Sequence, residues 1–295
     1  MNDIYVTGDT HGNNIQRFSY KRHPDLRQMD ETDVVVICGD TGLGWTGADR
    51  TWKYQLDYLE SKRANFVLVR GNHDNYDAWM QNSVPAAGNE SVKYHLGTLR
   101  NPVYGDKIYD SVFLVPDAAI VYLCGFESLI ISGAQSHDAL NLVYPHEKGR
   151  IKYFRNNHMF YRIVGHSWWP QENINTLYAD SLLKDCGLQN IYVHRHQIAY
   201  DGKRFGTFDF IFTHDCPSKM LDWFTPYDAG RLKPTSNELY LQDLCRNLSY
   251  NMWFHGHMHI NRKYPVDDVV CLYQDIMKIT ENGKLNEHYQ LYERV

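Results

Sequence analysis

The stretch Ile4-Tyr5-Val6-Thr7-Gly8-Asp9-Thr10-His11-Gly12 decides how this chain reads. Its first four residues are β-branched or aromatic and favour an extended backbone. A glycine ends the run, and an Asp and a His follow two positions apart. The same arrangement returns along the sequence. Val34–Cys38 leads into Gly39-Asp40, and Phe66–Val69 into Arg70-Gly71-Asn72-His73-Asp74. Phe208–Phe212 leads into Thr213-His214-Asp215, and Met252–Phe254 into His255-Gly256-His257-Met258-His259. Ligands of open α/β sheets gather beyond the carboxyl ends of strands, so these ends can converge on one crevice.

Each cluster alone has a plainer explanation. Asp-x-His can be a cap and a surface imidazole, Gly39-Asp40 a turn, and Asn72 and Asp74 helix caps. Residues two apart, such as His257 and His259, also share a face of any strand. Five such clusters in order, each behind an apolar strand, favour a paired metal site instead. A carboxylate bridges two cations, imidazoles supply nitrogen, and an Asn carbonyl adds a neutral oxygen. This mixed set without thiolate suits Mn²⁺, Fe or Zn²⁺ better than Mg²⁺ or Ca²⁺, and Mn²⁺ is the first expectation.

The rest of the chain sets bounds. Its 295 residues, 43% hydrophobic and 22% charged, exclude disorder as a description of the whole. A net charge of −5 argues against a strong nucleic-acid-binding surface, though not against small anions that meet a bound metal. Met1–Val6 has no signal-peptide pattern, and the apolar region Ala118–Ala134 is broken by Gly125, Glu127 and Ser128, so no membrane span is expected. Six scattered cysteines without a CxxC pair read as free thiols of a reducing compartment, and the expected location is cytoplasmic. Further strands are read at Val112–Val115, Ile120–Cys124 and Leu129–Ser132. Helices are read at Asn14–Lys21, Thr51–Arg63, Asp180–Asp185 and Asn237–Leu248. Strand and helix alternate early, which points to an α/β protein with parallel strands in its first third. One domain spanning 1–295 is expected, with a loop or cap insertion around 139–166. Nothing in the sequence bears on oligomeric state.

The series Gly-Asp-Thr-His-Gly, Gly-Asp, Gly-Asn-His-Asp, Thr-His and Gly-His-Met-His resembles the calcineurin-like metallophosphoesterase superfamily over residues 8 to 259. The resemblance implies a four-layer α-β-β-α sandwich of two mixed sheets flanked by helices, with a dinuclear metal site at the strand C-terminal ends. It implies that Asp9, His11 and His259 hold one divalent ion, that Asn72, His214 and His257 hold the other, and that Asp40 bridges them. His73 matches the catalytic histidine. The implied activity is hydrolysis of a phosphodiester or phosphomonoester, on a small molecule or nucleotide, by in-line attack of a metal-bridging hydroxide. His73 then protonates the leaving alkoxide.

Around this centre, Arg70 is read as a phosphate clamp, with a surface salt bridge as the plainer alternative, and Asp74 as orienting His73 or as a solvated turn carboxylate. A looser resemblance, to a phage and bacterial branch, rests on Gly133-Ala134-Gln135-Ser136-His137-Asp138, Ser167-Trp168-Trp169-Pro170 and Thr213–Pro217. It places Ser136 and Asp138 at the cleft as substrate-binding candidates, as Arg70 and Asp74 are, with a tight Asx-type turn as their plainer alternative. The Trp168-Trp169 pair is read as packing under a loop, and His194-Arg195-His196 as an exposed strand segment. Serine/threonine protein phosphatases carry an Asp three residues after the bridging Asp, where this chain has Leu43. That departure counts against a protein phosphatase. A non-catalytic scaffold of the same fold is the other alternative.

Overall fold

The computed structural model describes residues 2–21, 23–45, 49–136, 139, 141–186, 207–223, 233–280, 283 and 285–286. Alternation inside the strands sets its layers, because successive side chains of a strand point to opposite faces. Ile4, Val6, Val34, Val36, Val67 and Val69 face one way and meet Ala119, Val121, Phe210, Phe212 and Phe254 in a core between two sheets. Their neighbours Tyr5, Val35, Ile37, Phe66 and Leu68 face the other way. They pack beneath Trp52, Leu56 and Leu59 of the helix Asp49–Glu60, with Phe18 and Trp79. On the far side, Ile120, Leu129, Ile131, Ile211 and Trp253 pack against Leu182 and Leu183 of the helix Thr176–Asp185. Leu241 and Leu244 of the helix Ser236–Asn247 complete that layer. The chain is therefore a mixed α/β sandwich of two sheets flanked by helices.

Among the described residues the first sheet has nine strands. Its main path runs Leu285–Asn286, Ile276–Ile279, Ile4–Thr7, Val34–Ile37, Asn65–Val69, Val112–Val115, Arg100–Tyr104, Ser83–Pro85. The four strands from Ile4–Thr7 to Val112–Val115 are mutually parallel. The second sheet has seven strands, with Phe126–Ile131, Thr207–Thr213, Ser249–His255 and Val269–Cys271 parallel at its centre. The ligand-bearing ends thus belong to three adjacent strands of one sheet and two adjacent strands of the other. This adjacency brings the five clusters together.

One expectation needs correction. The segment read as a helix at Asn14–Lys21 is a 3₁₀ helix over Asn13–Phe18. The stretch around 139–166, expected as a loop or cap insertion, contains a regular helix, Lys148–Asn156, that buries Phe154. A two-residue parallel ladder between Leu142–Val143 and Arg162–Ile163 closes its base. His194-Arg195-His196 lies outside the described residues. All six cysteines are unpaired, and no helix of the described residues is long and apolar enough to cross a membrane.

Candidate metal centre and active site

The turns that follow the strands hold one another. The amides of Thr10 and His11 both donate to the Asp40 carbonyl (3.1 and 2.8 Å), and Gly12 N donates to Thr41 O at 2.8 Å. Gly256 N donates to the His214 carbonyl at 3.1 Å, tying the two ends in the second sheet. Carboxylates join the sheets and loops. Asp9 Oδ1 accepts from His257 N at 3.0 Å, and Asp40 Oδ1 accepts from His73 N at 2.7 Å. Arg17, buried, donates to the Asp9 carbonyl at 2.6 Å and to Thr7 Oγ1 at 2.7 Å, fixing the backbone under Asp9.

The backbone is strained where the donors sit. His11, Asp40, His257 and His259 all have positive φ, at 43°, 44°, 67° and 50°. Such conformations cost on the order of 1 kcal/mol or more for residues with a Cβ, and they persist only where surroundings enforce them. They also exclude the plainer reading of His257 and His259 as two positions on one strand face, because both lie beyond the strand that ends at His255. Two glycines make room. A Cβ on Gly39, which has φ +87°, would stand 2.1 Å from His214 Nδ1, and one on Gly71 would stand 2.2 Å from Asp40 Oδ1.

Two groups of donors result, and Asp40 belongs to both. Asp9, His11, Asp40 and His259 form one, and Asp40, His214 and His257 the other. In the first, His11 Nε2 and His259 Nε2 are 3.0 Å apart, and His259 Nε2 is 3.0 Å from Asp9 Oδ2. His11 Nε2 is 3.8 Å from Asp9 Oδ2 and 3.9 Å from Asp40 Oδ2. Donors that share an ion at about 2.1 Å sit roughly 3 Å or a little more from one another, so these separations fit a coordination shell. In the second group, His214 Nε2 lies 3.1 Å from Asp40 Oδ1 and 3.1 Å from Asn72 Oδ1. His214 Nδ1 faces the Cys38 carbonyl at 2.8 Å, which fixes a proton on Nδ1 and leaves Nε2 facing Asp40 and Asn72.

Electrostatics draw positive charge to the same place. Burial works against a charged His214, yet Asp40 and Asp9 push its imidazole up to about 10. Burial pushes Asp40 up, but the imidazoles around it, His214 first, hold it well below the usual carboxylate range. The residues therefore fit a pair of cations with mixed nitrogen and oxygen preference.

His73 sits at the rim of this centre. Its ring stacks on Trp45 (centroids 4.7 Å apart, 10° between planes) and meets the His11 ring edge-on at 5.2 Å. The other sequence candidates divide. Asp74 is not a solvated turn carboxylate: it is buried and accepts from Thr41 Oγ1 at 2.7 Å, Gly42 N at 2.9 Å and Gly71 N at 2.7 Å. It binds the Asp40 loop to the Asn72 loop, and burial together with Asp40 raises its carboxyl to about 6. Ser136 Oγ accepts from Asn72 Nδ2 at 3.0 Å and donates to Glu172 Oε2 at 2.8 Å, so it steadies Asn72. Asp138 lies outside the described residues.

Arg70 is a correction. Its side chain is 0% exposed, with Nε donating to Pro116 O at 2.8 Å and a terminal nitrogen to Glu172 O at 3.2 Å. With its guanidinium buried and bonded to these carbonyls, Arg70 joins loops instead of presenting an exposed phosphate clamp. Trp169 is buried and meets Trp45 edge-on at 5.4 Å. Trp168 lines, together with Ser136 and Glu172, a cavity of about 380 Å³. Sequence reading missed Trp45, Glu172 and Arg162, whose terminal nitrogen lies 3.0 Å from His73 Nε2. No spacing or motif marks any of the three.

Comparison with known proteins agrees with this geometry. The family model for calcineurin-like phosphoesterases matches residues 3–261. The chain belongs to that family. Membership makes it a metal-dependent hydrolase of phosphoric esters, and the model spans every donor named above. No curated protein matches the chain. Among solved structures, a phosphopantetheinyl hydrolase of Mycobacterium tuberculosis is 15% identical, with a TM-score of 0.41, covering 92% of this chain and 89% of its own. A protein of unknown function from Aquifex aeolicus is 14% identical with a TM-score of 0.24, covering 61% of this chain and 87% of its own. Neither bears on what this phosphoesterase cleaves.

Proposed function

We propose that this phosphoesterase hydrolyses small phosphomonoesters or phosphodiesters, nucleotides among them, at a centre of two divalent cations with Mn²⁺ preferred over Fe or Zn²⁺. Asp9, His11 and His259 would hold one cation, Asn72, His214 and His257 the other, and Asp40 both. The observation that carries this reading is the membership of Asp40 in both donor groups. When bound, such a pair lowers the pKa of water and neutralises charge that develops on the phosphoryl oxygens.

The chain's own residues do the rest. Asp74 and Arg17 keep the donor loops in place from beneath, so the strained turns do not relax. Trp45 fixes the plane of His73 at the rim of the centre, where we place the departing ester oxygen. His73 transfers the proton that this oxygen needs when the P–O bond breaks. Leu43, three residues after Asp40 where protein phosphatases carry an Asp, supports small phosphate esters over phosphoproteins. The complete donor set supports catalysis over a scaffold role. Six unpaired thiols fit a reducing compartment such as the cytoplasm.

Turnover of linear and cyclic mono- and diesters by protein loaded with Mn²⁺, Fe²⁺ or Zn²⁺ tests the reading, with His73→Ala assayed alongside. The wild type should hydrolyse at least one class, and His73→Ala should lower kcat by about 10²–10⁴. The loss should be largest for alkyl leaving groups, which need the proton most. Equal rates for His73→Ala and wild type on alkyl esters would end the acid assignment.

A further inference from the structure

Of the two consecutive tryptophans at 168 and 169, Trp169 is packed away at 2% exposure, as the sequence leads one to expect of both. Trp168 is only half-buried, and it lines the cavity of about 380 Å³. That volume lies in the range of small-molecule sites, roughly 300–1,000 Å³. The segment that carries the indole is tied down. Trp168 N donates to Ile163 O at 3.2 Å, and its carbonyl accepts from Gly165 N at 2.8 Å. The indole N–H donates to the Glu172 carboxylate. The ring is thus in place before a ligand arrives, and little side-chain freedom is lost on binding. Leu142 and Pro234 add apolar wall, while Gln135, Ser136 and Glu172 add polar groups. Gln135 is exposed, and its amide offers both a donor and an acceptor. An aromatic face bordered by a few such groups matches a flat heterocycle, which stacks through its ring and hydrogen-bonds through its edge.

Two chains of contact join this cavity to the metal centre. Ser136 accepts from Asn72 Nδ2 at 3.0 Å. Ser167, the neighbour of Trp168, accepts at its carbonyl from Arg162 at 3.1 Å, and Arg162 lies 3.0 Å from His73 Nε2. The cavity therefore adjoins the side of the centre on which His73 stands, where the function proposed above puts the departing oxygen. We propose that the cavity is the leaving-group subsite of this phosphoesterase and that it takes the base of a nucleoside, stacked on Trp168, while the phosphoryl group lies at the centre. The inference rests on the proposed function and narrows its substrates to nucleotides. Trp168 touches no reacting atom; it supplies binding that a bare sugar phosphate does not collect. Stacking tolerates any base, so the preference is for a base over none.

The test uses the whole chain loaded with Mn²⁺, with adenosine 5′-monophosphate, ribose 5-phosphate and adenosine. The wild-type kcat/KM for the nucleotide should exceed that for the sugar phosphate by about 10–100-fold, the worth of one stacked base. Trp168→Ala should bring that ratio close to one, and Trp168→Phe, which keeps a ring, should preserve most of it. Adenosine, which has no phosphate to offer the metals, should inhibit competitively. Equal kcat/KM for the two esters in the wild type, or a ratio unchanged in Trp168→Ala, would overturn the proposal. A second measurement needs no variant to fold well. In Zn²⁺-loaded wild type labelled with ¹⁵N-tryptophan, adenosine should shift the Trp168 indole N–H resonance, and a resonance unmoved at millimolar adenosine would also overturn it. A wild type that hydrolyses neither ester would count against the proposed function, and the resonance would still decide whether the cavity binds a base.

Discussion

Glu172 shows what the fold asks of single residues near the centre. It is 2% exposed, and its carboxylate accepts from Ser136 N at 2.7 Å and Ser136 Oγ at 2.8 Å. Burial outweighs these bonds and raises its carboxyl from the usual 4.5 to about 7. A raised carboxyl pKa means that the folded state prefers the neutral acid. The associated stability is present below about pH 4.5 and is lost as the pH rises through about 7. The full difference is on the order of 3 kcal/mol. Denaturant titrations of metal-free wild type and Glu172→Gln at several pH values measure it. The wild type should lose stability relative to the variant between pH 4.5 and 7.5, and a pH-independent difference would refute the assignment. No sequence pattern points to Glu172, because its effect depends on a contact with Ser136, 36 positions away. Arg70 fails for a related reason. Adjacency to Gly71 and Asn72 in sequence puts it near the site, but carbonyls at Pro116 and Glu172 decide which way its side chain turns.

At the scale of elements, what is legible in the sequence follows hydrophobic pattern. Val34–Ile37 and Phe66–Val69 are apolar at every position because both faces of their sheet are covered, and both were readable as strands. The helix Ser236–Asn247 was readable from its Leu241, Leu244 and Leu248 stripe. The helix Lys148–Asn156 was not, because only Phe154 of its nine residues is buried and Tyr153 faces solvent, so no apolar stripe marks it. Its ladder strands are two residues long, too short for any periodicity. Caps are a separate contribution. Thr235 starts the helix Ser236–Asn247 with a reciprocal capping box, its side chain accepting from Glu238 N at 3.2 Å while Glu238 accepts from Thr235 N at 2.5 Å. Thr235→Ala should therefore lower unfolding free energy by about 1 kcal/mol, read from the denaturant midpoint at constant m. A change below a few tenths would mean that packing of Leu241 and Leu244 alone holds the helix.

For the molecule as a whole, the two sheets do different work at one place. The first supplies Asp9, His11, Asp40, Asn72 and His73 from three neighbouring parallel strands. The second supplies His214, His257 and His259 from two. The donors meet only if the sheets pack face to face with their parallel strand ends together, which the shared core of Val6, Val36, Val69, Phe212 and Phe254 enforces. Sequence order together with the family resemblance named the candidate donors; the joining of both groups through Asp40, the strained turns and the contact of Arg162 with His73 needed the three-dimensional arrangement. If Asp40 serves two ions, losing its charge must disturb both positions. Counting bound Mn²⁺ per chain by elemental analysis after equilibrium dialysis tests this directly, in the wild type and in Asp40→Asn. The account predicts two ions per wild-type chain and fewer than one in the variant. Two ions retained by Asp40→Asn, or a wild type that never exceeds one, would contradict it.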